Sequence, residues 1–498
     1  MLIIIGITAW VVIILSIILI RPASKIHTVT MVDTSGKHRW IICVVAAFTV
    51  LLCLLPMRLA PVYNGEEPQQ RNQYELMADA ILEGHLYIDY DIDPRLLEME
   101  NPYDTDLRYE LGVSYHHDHA FYNGHYYMYF GVVPVFLLFI PFRLITGAAL
   151  TTYHATQVFT AFFIAGIFIL FRKLSELFFR KLPFSVYLML SVSFSMMSVW
   201  YGVSAPALYC TAITAAMCLC IWSFYFFLRA VWDTDDENSA LRLAFLGSLL
   251  GALAFGCRPP VALANMLVVP MLAVFLRERK MSVRLFLKLF VAASPYIIIG
   301  ALLMLYNYAR FNDPFEFGQS YQLTVADQRN LGEIHAGMIW TALFGVMEFF
   351  IISSFSISPL SLGVFLSFPI CFYSIIGAEN DMVRGQLKRT KTQQLIIALF
   401  MIPIMISVID TLWSPYFLPR YRMDIYWIVS ILTFILIGFY HETRQEKARF
   451  SFVICLFALF TIGMSIFMFW WPNDFNYSDY FGYDGMLPLK ILTFGISS

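Results

Sequence analysis

The sequence predicts an all-α polytopic membrane protein with about twelve transmembrane helices and a large first outer loop that contains juxtamembrane helices. Of its 498 residues, 59% are hydrophobic and 14% are charged, whereas a soluble domain carries about 25% charged residues. Mean hydropathy is +0.67, and apolar segments long enough to cross a bilayer recur along the chain. The net charge of −2 argues against nucleic acid as a partner.

Twelve apolar segments are predicted to cross the membrane, because about 20 apolar residues span a bilayer as a helix. The segments 243–257 and 261–276 are short, which predicts tilted helices or a broken pair. The predicted spans are 1–20, 40–56, 153–171, 184–199, 207–228, 243–257, 261–276, 286–308, 360–377, 394–413, 425–440 and 450–471.

Basic residues follow the first, third, seventh, ninth and eleventh spans, and they set the predicted orientation. Lys and Arg concentrate in short cytoplasmic loops, so the basic side is predicted to be cytoplasmic and both termini lie outside. The compact loops favour a bacterial plasma membrane. The basic loops contain Arg21, Lys25, Lys37 and Arg39; Arg172, Lys173, Arg180 and Lys181; Arg277, Arg279, Lys280 and Arg284; Arg384, Lys388, Arg389 and Lys391; and Arg444, Lys447 and Arg449.

The opposite side is acidic. Residues 57–125 hold fourteen Asp or Glu, four Arg, no Lys and five of the ten histidines. A second outer loop covers 309–335, and the tail 472–498 is aromatic and acidic. This side is therefore where polar chemistry is expected.

Two further apolar stretches, 126–145 and 336–357, are predicted not to span, because spanning would move the following basic loop to the outer side. The first also contains Gly131, Pro134 and Pro141, which interrupt helices. Irregular backbone at membrane depth needs protein or water around it, so both stretches predict a cavity on the outer side.

Glu66 and Glu67 lie a few residues past the second span. They precede a predicted interfacial helix over 72–82, which includes Asn72 and Tyr74. A carboxylate at this position suits a general base that acts on an acceptor hydroxyl. The alternative is a solvated acidic turn before the helix.

Residues 101–131 combine charged and histidine side chains with seven tyrosines. Asn123-Gly124 predicts a tight hairpin turn. Tyrosines with carboxylates suit sugar hydroxyls, although an interfacial aromatic belt also explains the tyrosines. No cofactor is firmly predicted; a divalent metal held by His116, His117, Asp118 and His119 is the alternative, but their spacing matches no zinc motif. The other polar candidates here are Asp104, Asp106, Arg108, His125 and Tyr126.

Three arginines, Arg258, Arg310 and Arg420, stand at the predicted outer ends of spans, where the positive-inside rule disfavours them. Arginine binds phosphate oxygens in a forked geometry, and the three together predict a phosphate site. The alternative is pairing with Asp424, Asp410 or Glu316, or with lipid headgroups.

The order of these motifs resembles the GT-C superfamily of membrane glycosyltransferases, which use polyprenyl-phosphate-linked sugars, including bacterial aminoarabinose-transferase-like and protein-mannosyltransferase-like members. The segments that carry the resemblance are GEEP with QYELMADAILEG, GHYYMYFGVVPVFLLFIPFRLITG, GCRPPVAL, NYARFNDPFEFGQSYQLT and PRYRMDIYWIVSILTF. The motif here is Glu-Glu, where many members have Asp-Glu. Asp424 stands near a position where relatives often carry proline.

The resemblance implies a domain plan and a reaction. An extra span and basic loop (1–39) would precede a GT-C-like domain (40–471) with outer loops 57–152 and 309–357, followed by a short outer tail (472–498). The chain has no large soluble C-terminal domain of the oligosaccharyltransferase type, and this favours transfer of a single sugar, hexosyl or pentosyl.

The implied mechanism is an inverting transfer on the outer face, from a polyprenyl-phosphate donor to a hydroxyl of a glycan, lipid or protein. Glu66, Glu67 or Asp118 would be the base, and Arg420 with Tyr421 would bind the donor phosphate, helped by Arg258 or Arg310. Further substrate contacts would come from Asn72, Tyr74, Asp104, Arg108, His125 and Tyr126. The alternatives are a transporter or flippase of lipid-linked glycans, a polysaccharide polymerase or ligase, and a non-catalytic scaffold.

Overall fold

The protein is helical throughout apart from one small sheet. The structure, a computed structural model, describes residues 2–59, 72–206, 208–277, 279–330, 337–352, 362–376, 380–413, 418–444 and 446–470. Its helices are α1 Leu2–Ile20, α2 Gly36–Leu59, α3 Gln73–Glu83, α4 Pro94–Glu98, α5 Thr105–Glu110, α6 Ile140–Thr146, α7 Thr152–Phe178, α8 Phe184–Ser204, α9 Leu208–Trp232, α10 Glu237–Phe255, α11 Pro259–Ala262, α12 Val268–Leu276, α13 Val283–Phe311, α14 Met338–Phe350, α15 Val364–Ser367, α16 Tyr373–Ile376, α17 Asp381–Arg389, α18 Gln393–Trp413, α19 Met423–Thr443 and α20 Lys447–Trp470.

Short 3₁₀ or π turns and three strands complete the described elements. The strands are β1 His119–Tyr122, β2 His125–Met128 and β3 Gln322–Leu323. A π turn at Val135–Phe139 leads into α6, and 3₁₀ turns lie at Lys25–His27, Met31–Asp33, Leu263–Leu267, Gln328–Asn330, Pro369–Phe372 and Pro419–Arg422.

Ten helical segments within the described residues are long and apolar enough to cross a membrane. They begin at residues 36, 152, 184, 208, 237, 259, 283, 393, 419 and 447, and each corresponds to a predicted span. The remaining two predicted spans are α1, which has 19 residues, and the segment 360–377. The all-α polytopic fold class is confirmed.

The basic loops gather at one end of the helices. The Met31 amide donates to the Leu182 carbonyl (3.0 Å), and the Lys181 amide donates to Glu442 Oε1 (3.1 Å). Trp232 Nε1 donates to the Thr390 carbonyl (3.2 Å). The first two bonds join three of the predicted basic loops. The third joins a fourth loop to the end of α9, where Lys173 Nζ also donates to Asp233 Oδ1 (3.2 Å). These four loops therefore share one side of the bundle, called the basic side below.

The predicted span at 360–377 is not one helix. It consists of α15, a 3₁₀ turn at Pro369–Phe372 and α16, because Phe368 leaves the helical region (φ −133°, ψ 77°) just before a proline, and the residue before a proline disfavours the helical conformation. Its rings still run along α19: Phe368 packs on Tyr426 and Tyr373 packs on Tyr440.

The two short predicted spans differ from each other. α10 is a continuous helix of 19 residues that begins at its cap Asp236, whose side chain accepts the Ser239 amide. The following crossing is broken, because a 3₁₀ turn at Leu263–Leu267 separates α11 from α12. The predicted alternative of a broken helix therefore applies only to the second segment.

The two stretches predicted not to span form short elements on the side opposite the basic loops. The first comprises β2, the π turn and α6, and the Val133 amide donates to the Gly256 carbonyl (2.9 Å). The second is α14, whose 13 residues reach only about 20 Å at 1.5 Å per residue. Arg422 Nη2, at the start of α19, donates to the Glu348 carbonyl of α14 (3.1 Å).

The core of the bundle lies around α19, which is buried along nearly its whole length. Phe171 of α7 stacks on Phe434 of α19 at 3.9 Å between ring centroids, and Gly438 lies against the Phe179 ring. In contrast, α13 exposes most of its apolar side chains. The 3₁₀ turn just before α19, which carries Arg420 and Arg422, is likewise held in the interior of the protein.

Candidate active site

A three-stranded sheet joins the two outer loops that the sequence predicts to be functional. β1 and β2 form an antiparallel hairpin, whose turn residues Asn123 (φ 50°) and Gly124 (φ 74°) adopt the left-handed values of a tight hairpin turn. β3 comes from the second outer loop and pairs with β1, with Ala120 opposite Gln322. The predicted hairpin is thus present, and its first strand lies in the middle of the sheet.

The sheet positions Asp118, which immediately precedes β1. The Asp118 amide donates to the Leu323 carbonyl (2.9 Å), and the Asp118 carbonyl accepts Gln73 Nε2 from α3 (2.8 Å). The residue adopts φ 56°, which costs a non-glycine residue about 1 kcal/mol or more. The surrounding hydrogen bonds stabilise this turn, which aims the carboxylate away from the strand.

The Asp118 carboxylate is held between loops and helices. Oδ1 accepts Gln322 Nε2 (3.0 Å), and Oδ2 accepts the hydroxyl of Tyr209, the second residue of α9. His117 Nε2 lies 3.5 Å from Oδ1. The side chain is 15% exposed, so the carboxylate is fixed in place yet open on one side.

Tyr209 connects this carboxylate to an arginine. The Arg420 guanidinium carbon lies 4.0 Å from the Tyr209 ring centroid and 5.5 Å from that of Tyr421. A cation over an aromatic face at this distance is an attractive arrangement. Arg420 is 7% exposed, so a positive charge and the Asp118 carboxylate lie on two sides of one tyrosine, at the buried end of the outer loops.

Arg258 also lies beside Tyr421, and it is paired with two carboxylates. Its Nη2 is 2.6 Å from Asp424 Oδ2 and 3.6 Å from Asp410 Oδ1, and its guanidinium lies 4.9 Å from the Tyr421 ring centroid. The structure therefore shows the predicted alternative for Arg258, in which it pairs with Asp424 and Asp410. Asp410 Oδ2 and Asp424 Oδ1 are buried without a hydrogen-bond partner among the described residues.

Tyr129 lies at the centre of these groups. It interacts electrostatically with Asp118, Arg258, Arg420 and Tyr421, and burial raises the pKa of its phenol. Its hydroxyl donates to Gln319 Oε1 (2.6 Å). Four of the predicted site residues thus surround one neutral phenol, which is itself a hydrogen-bonding group suited to a polar substrate.

Arg310 and Arg108 serve instead as buried clamps. Arg310 Nη1 donates to the Met128 carbonyl at the end of β2 (2.9 Å), and Nη2 donates to Asn307 (2.9 Å). Arg108 donates to the Pro102 and Thr324 carbonyls (2.7 and 2.6 Å). These contacts favour a role in joining the loops.

Asn72 and Tyr74 belong to the junction between α3 and α7. Asn72 caps α3, and its Nδ2 donates to Thr152 Oγ1 (2.6 Å). Glu75 accepts the Thr152 amide (3.1 Å). Tyr74 is buried with its ring stacked on Phe139. The predicted helix is present one residue displaced, and its cap anchors it beneath the Asp118 turn.

The remaining predicted contacts lie farther out in the loops. Asp104 caps α5 by accepting the Asp106 and Leu107 amides. His125 is exposed and stacks on Tyr87, while Tyr126 is buried against Phe121. None of these three contacts Arg420 within the described residues. Glu66 and Glu67, the other predicted bases, lie outside the residues that the structure describes.

His116, His117, Asp118 and His119 do not converge as metal ligands. His116 stacks on Tyr90, and burial lowers the pKa of His119, whose Nδ1 bonds the His117 carbonyl, to about 3. His117 and Asp118 form a turn before β1. The cluster therefore divides into two pairs, His117 with Asp118 (3.5 Å) and His116 with His119 (5.7 Å between ring centroids). Among the described residues, three potential ligand atoms come within 4.8 Å of one another at Glu83, His85 and Asp89, which are mostly exposed.

Three contributors to the site were missed by the sequence interpretation. Tyr209 and Gln322 hold the Asp118 carboxylate, and Gln73 holds its carbonyl. Tyr209 stands at the start of the predicted span 207–228, where a tyrosine is typical of an interfacial aromatic belt. Only its position in the fold distinguishes it.

Comparison with known proteins supports the fold. No protein-family model matches the chain, and no curated protein sequence matches it. The fold is similar to the crystal structure of the Archaeoglobus fulgidus oligosaccharyltransferase in the apo form, with a TM-score of 0.53, 12% identity, and coverage of 89% of this chain and 57% of that one. A second structure of that enzyme, tethered to an acceptor peptide with an NVT sequon, gives a TM-score of 0.44, 13% identity, and coverage of 87% and 56%.

At 12% identity the likeness shows a shared fold and nothing more specific. The chain spans a little over half the length of the oligosaccharyltransferase that it resembles.

Proposed function

We propose that the protein is a membrane glycosyltransferase that moves a sugar from a polyprenyl-phosphate donor to an acceptor hydroxyl with inversion. The observation that carries this proposal is the pair of contacts that Tyr209 makes. Its hydroxyl donates to the Asp118 carboxylate, and its ring contacts the Arg420 guanidinium. The GT-C-like fold supports it. We place the site on the outer face of a bacterial plasma membrane, because it lies opposite the basic loops.

Arg420 would bind the donor phosphate. The leaving phosphate gains negative charge as its bond to the anomeric carbon breaks, and a fixed, buried cation stabilises that charge more than water does. The Tyr209 and Tyr421 rings pack on the guanidinium and hold it in place. The Arg258 charge is offset by Asp424 and Asp410, so its proposed part is to position Tyr421.

A carboxylate would take the proton from the acceptor hydroxyl as the oxygen attacks the anomeric carbon. Asp118 is the candidate base among the residues that the structure describes, whereas Glu66 and Glu67 are candidate bases from the sequence alone. Inversion needs one base and a leaving phosphate that is already anionic, so no second acidic group is required, unlike in ordinary glycoside hydrolysis. Asp118 keeps its acceptor oxygens aligned through Tyr209 and Gln322.

The donor and acceptor are proposed by class. The donor carries one hexosyl or pentosyl unit, and the acceptor is a glycan, lipid or protein hydroxyl that enters between the outer loops. Tyr129, with its neutral phenol, is placed to bond a sugar hydroxyl. Divalent metal is not part of the proposed mechanism.

The proposal is tested by measuring donor binding and sugar transfer by the purified protein in nanodiscs. Radiolabelled polyprenyl-phosphate monosaccharides are offered singly to wild type, Arg420→Ala, Asp118→Asn, Glu66→Gln and Glu67→Gln. Arg329→Ala is the matched control, because Arg329 also lies over a tyrosine, 4.9 Å from the Tyr103 ring centroid, but is exposed and paired with Asp327.

We expect saturable donor binding that Arg420→Ala abolishes and Arg329→Ala leaves intact. At least one carboxylate variant should retain binding and lose transfer by 100-fold or more, the scale of general base catalysis. Binding of no lipid-linked sugar would contradict the proposal. Full transfer by all three carboxylate variants would contradict the assignment of the base.

The second candidate function is transport or flipping of a lipid-linked glycan. The observation that favours it is the buried group of Arg258, Asp410 and Asp424, because ionisable side chains inside a membrane often mark transport pathways. A proteoliposome assay separates the two functions. Movement of a labelled polyprenyl-phosphate sugar between leaflets, without transfer to any acceptor and lost in Asp410→Asn, would favour the transporter.

A further inference from the structure

A cavity lies at the basic side of the bundle, at the far end of the helices from Asp118. It is formed between the first turns of α10 and α13 and has a volume of about 970 Å³, within the range of pockets that hold a ligand. It is lined by Asn238, Leu241, Arg242, Phe245, Leu246, Val283, Arg284, Leu287, Lys288, Val291 and Ala292.

The groove combines an apolar wall with a basic mouth. Phe245, Leu246, Leu287 and Val291 are between 37% and 59% exposed, so this wall faces the surroundings of the bundle. Such a wall is compatible with acyl chains, which are as apolar as these side chains. By itself it does not distinguish a specific lipid from bulk lipid.

The basic residues at the mouth of the groove distinguish a specific anionic lipid from bulk lipid. Arg242 and Arg284 are exposed and form no hydrogen bond or ion pair with any residue that the structure describes. Lys288 is bound to Glu237 (2.6 Å) and Asn238. No acidic side chain lines the cavity, although Asp236 and Glu237 stand near it and interact electrostatically with Arg242 and Arg284 respectively. Two guanidinium groups are thus available at the mouth of the groove for an anionic group.

We propose that this groove binds an anionic phospholipid of the leaflet on the basic side, with the phosphate between Arg242 and Arg284 and an acyl chain along Leu246, Leu287 and Val291. Charge complementarity selects the occupant, since basic pockets between membrane helices on this side accept anionic headgroups. The site is separate from the proposed sugar-transfer site and does not depend on it.

Lipid binding is measured by native mass spectrometry of the delipidated full chain in detergent. The probes are phosphatidylglycerol, phosphatidylcholine with the same acyl chains, and inorganic phosphate. The double variant Arg242→Ala with Arg284→Ala removes both guanidinium groups from the mouth of the groove. Val291→Trp places a large ring where the acyl chain would lie. Lys388→Ala with Arg389→Ala is the charge-matched control, because these exposed residues lie in another basic loop.

We expect phosphatidylglycerol to bind more tightly than phosphatidylcholine. The double arginine variant should weaken phosphatidylglycerol binding about 30-fold, because each basic residue near an anionic headgroup contributes a factor of about five. Val291→Trp should weaken both lipids, and the lysine–arginine control should weaken neither.

Three outcomes would overturn the proposal. One is equal loss of binding in the control pair, which would indicate a general charge effect. Another is competition by inorganic phosphate at the same concentration as lipid, which would indicate an anion site without a chain-binding wall. The third is a dimer that Val291→Trp dissociates, which would make the groove an interface between two copies.

Discussion

Arg420 lies 4.0 Å from the centroid of the Tyr209 ring, and the hydroxyl of that ring donates to Asp118. One tyrosine therefore contacts both the proposed phosphate-binding group and the proposed base. Tyr209 begins α9, whereas Asp118 and Arg420 belong to the first outer loop and the turn before α19. Rotation or loss of this ring would separate the two halves of the site.

Tyr209→Phe tests this connection, because it keeps the ring under Arg420 and removes only the hydroxyl. A hydrogen bond to a charged group contributes about 1.5–3 kcal/mol, so we expect kcat for sugar transfer to fall 10- to 100-fold while donor KM changes little. Tyr426→Phe is the control, since the Tyr426 hydroxyl is buried without a partner among the described residues. An equal effect in both variants would show that only packing is involved.

The pairing of Arg258 with Asp424 and Asp410 predicts a large loss of stability when the arginine alone is removed. Arg258→Met leaves two buried carboxylates without their cation, which costs about 3–5 kcal/mol. Replacing all three, with Asp410→Leu and Asp424→Leu, should restore thermal stability in detergent. If the triple variant is as unstable as the single one, packing of the arginine stem and not its charge is the cause.

Gly131 and Gly256 predict a close approach between the first outer segment and the end of α10. A Cβ on Gly131 would overlap the Gly256 carbonyl, and the neighbouring atoms are backbone that has little freedom to move. We expect Gly131→Ala to lower the unfolding temperature and to reduce transfer. Gly300→Ala is the control, because no atom lies within 4 Å of its added Cβ and alanine favours a helix.

The low pKa of His119 predicts acid sensitivity of the loop sheet. Burial holds its folded pKa at about 3, below the unfolded value of about 6.5, so the unfolded chain binds more protons between these values. Stability is fully present above pH 6.5 and falls as the pH drops towards 3, by at most about 1.4 kcal/mol per pH unit.

His119→Phe should flatten this pH dependence, measured as unfolding temperature from pH 7 to pH 4. His125→Phe should preserve it, because His125 is exposed. An unchanged slope in the His119 variant would assign the acid sensitivity to other groups of the outer loops.

Much of the architecture was predictable, because the free energy of placing a segment in a membrane is local. The apolar runs predicted the ten long helices found. Basic residues predicted which loops share a side, and prolines with charge predicted that 126–145 does not span. Asn123-Gly124 likewise predicted the hairpin, since its turn depends on two adjacent residues.

Other features depended on contacts that local patterns do not encode. The segment 360–377 has the apolar composition of a membrane-spanning helix. Its helix nevertheless ends at Phe368, where the backbone leaves the helical conformation before Pro369. The histidine cluster was considered as an alternative metal site, yet the turn at His117 and Asp118 divides it into two pairs. The arginines at span ends looked alike, and only their surroundings separate Arg310, a clamp on Met128, from Arg420 on Tyr209.

The sequence by itself therefore determined the long apolar helices and which of their loops share a side. Only the tertiary structure decided which polar residues meet. Asp118 and Tyr209 are 91 residues apart in the chain, Asp118 and Gln322 are 204 apart, and Arg258 and Asp424 are 166 apart. Hydropathy and charge act on segments of about 20 residues, whereas these pairs form because the helices pack around α19 and carry their loop ends together.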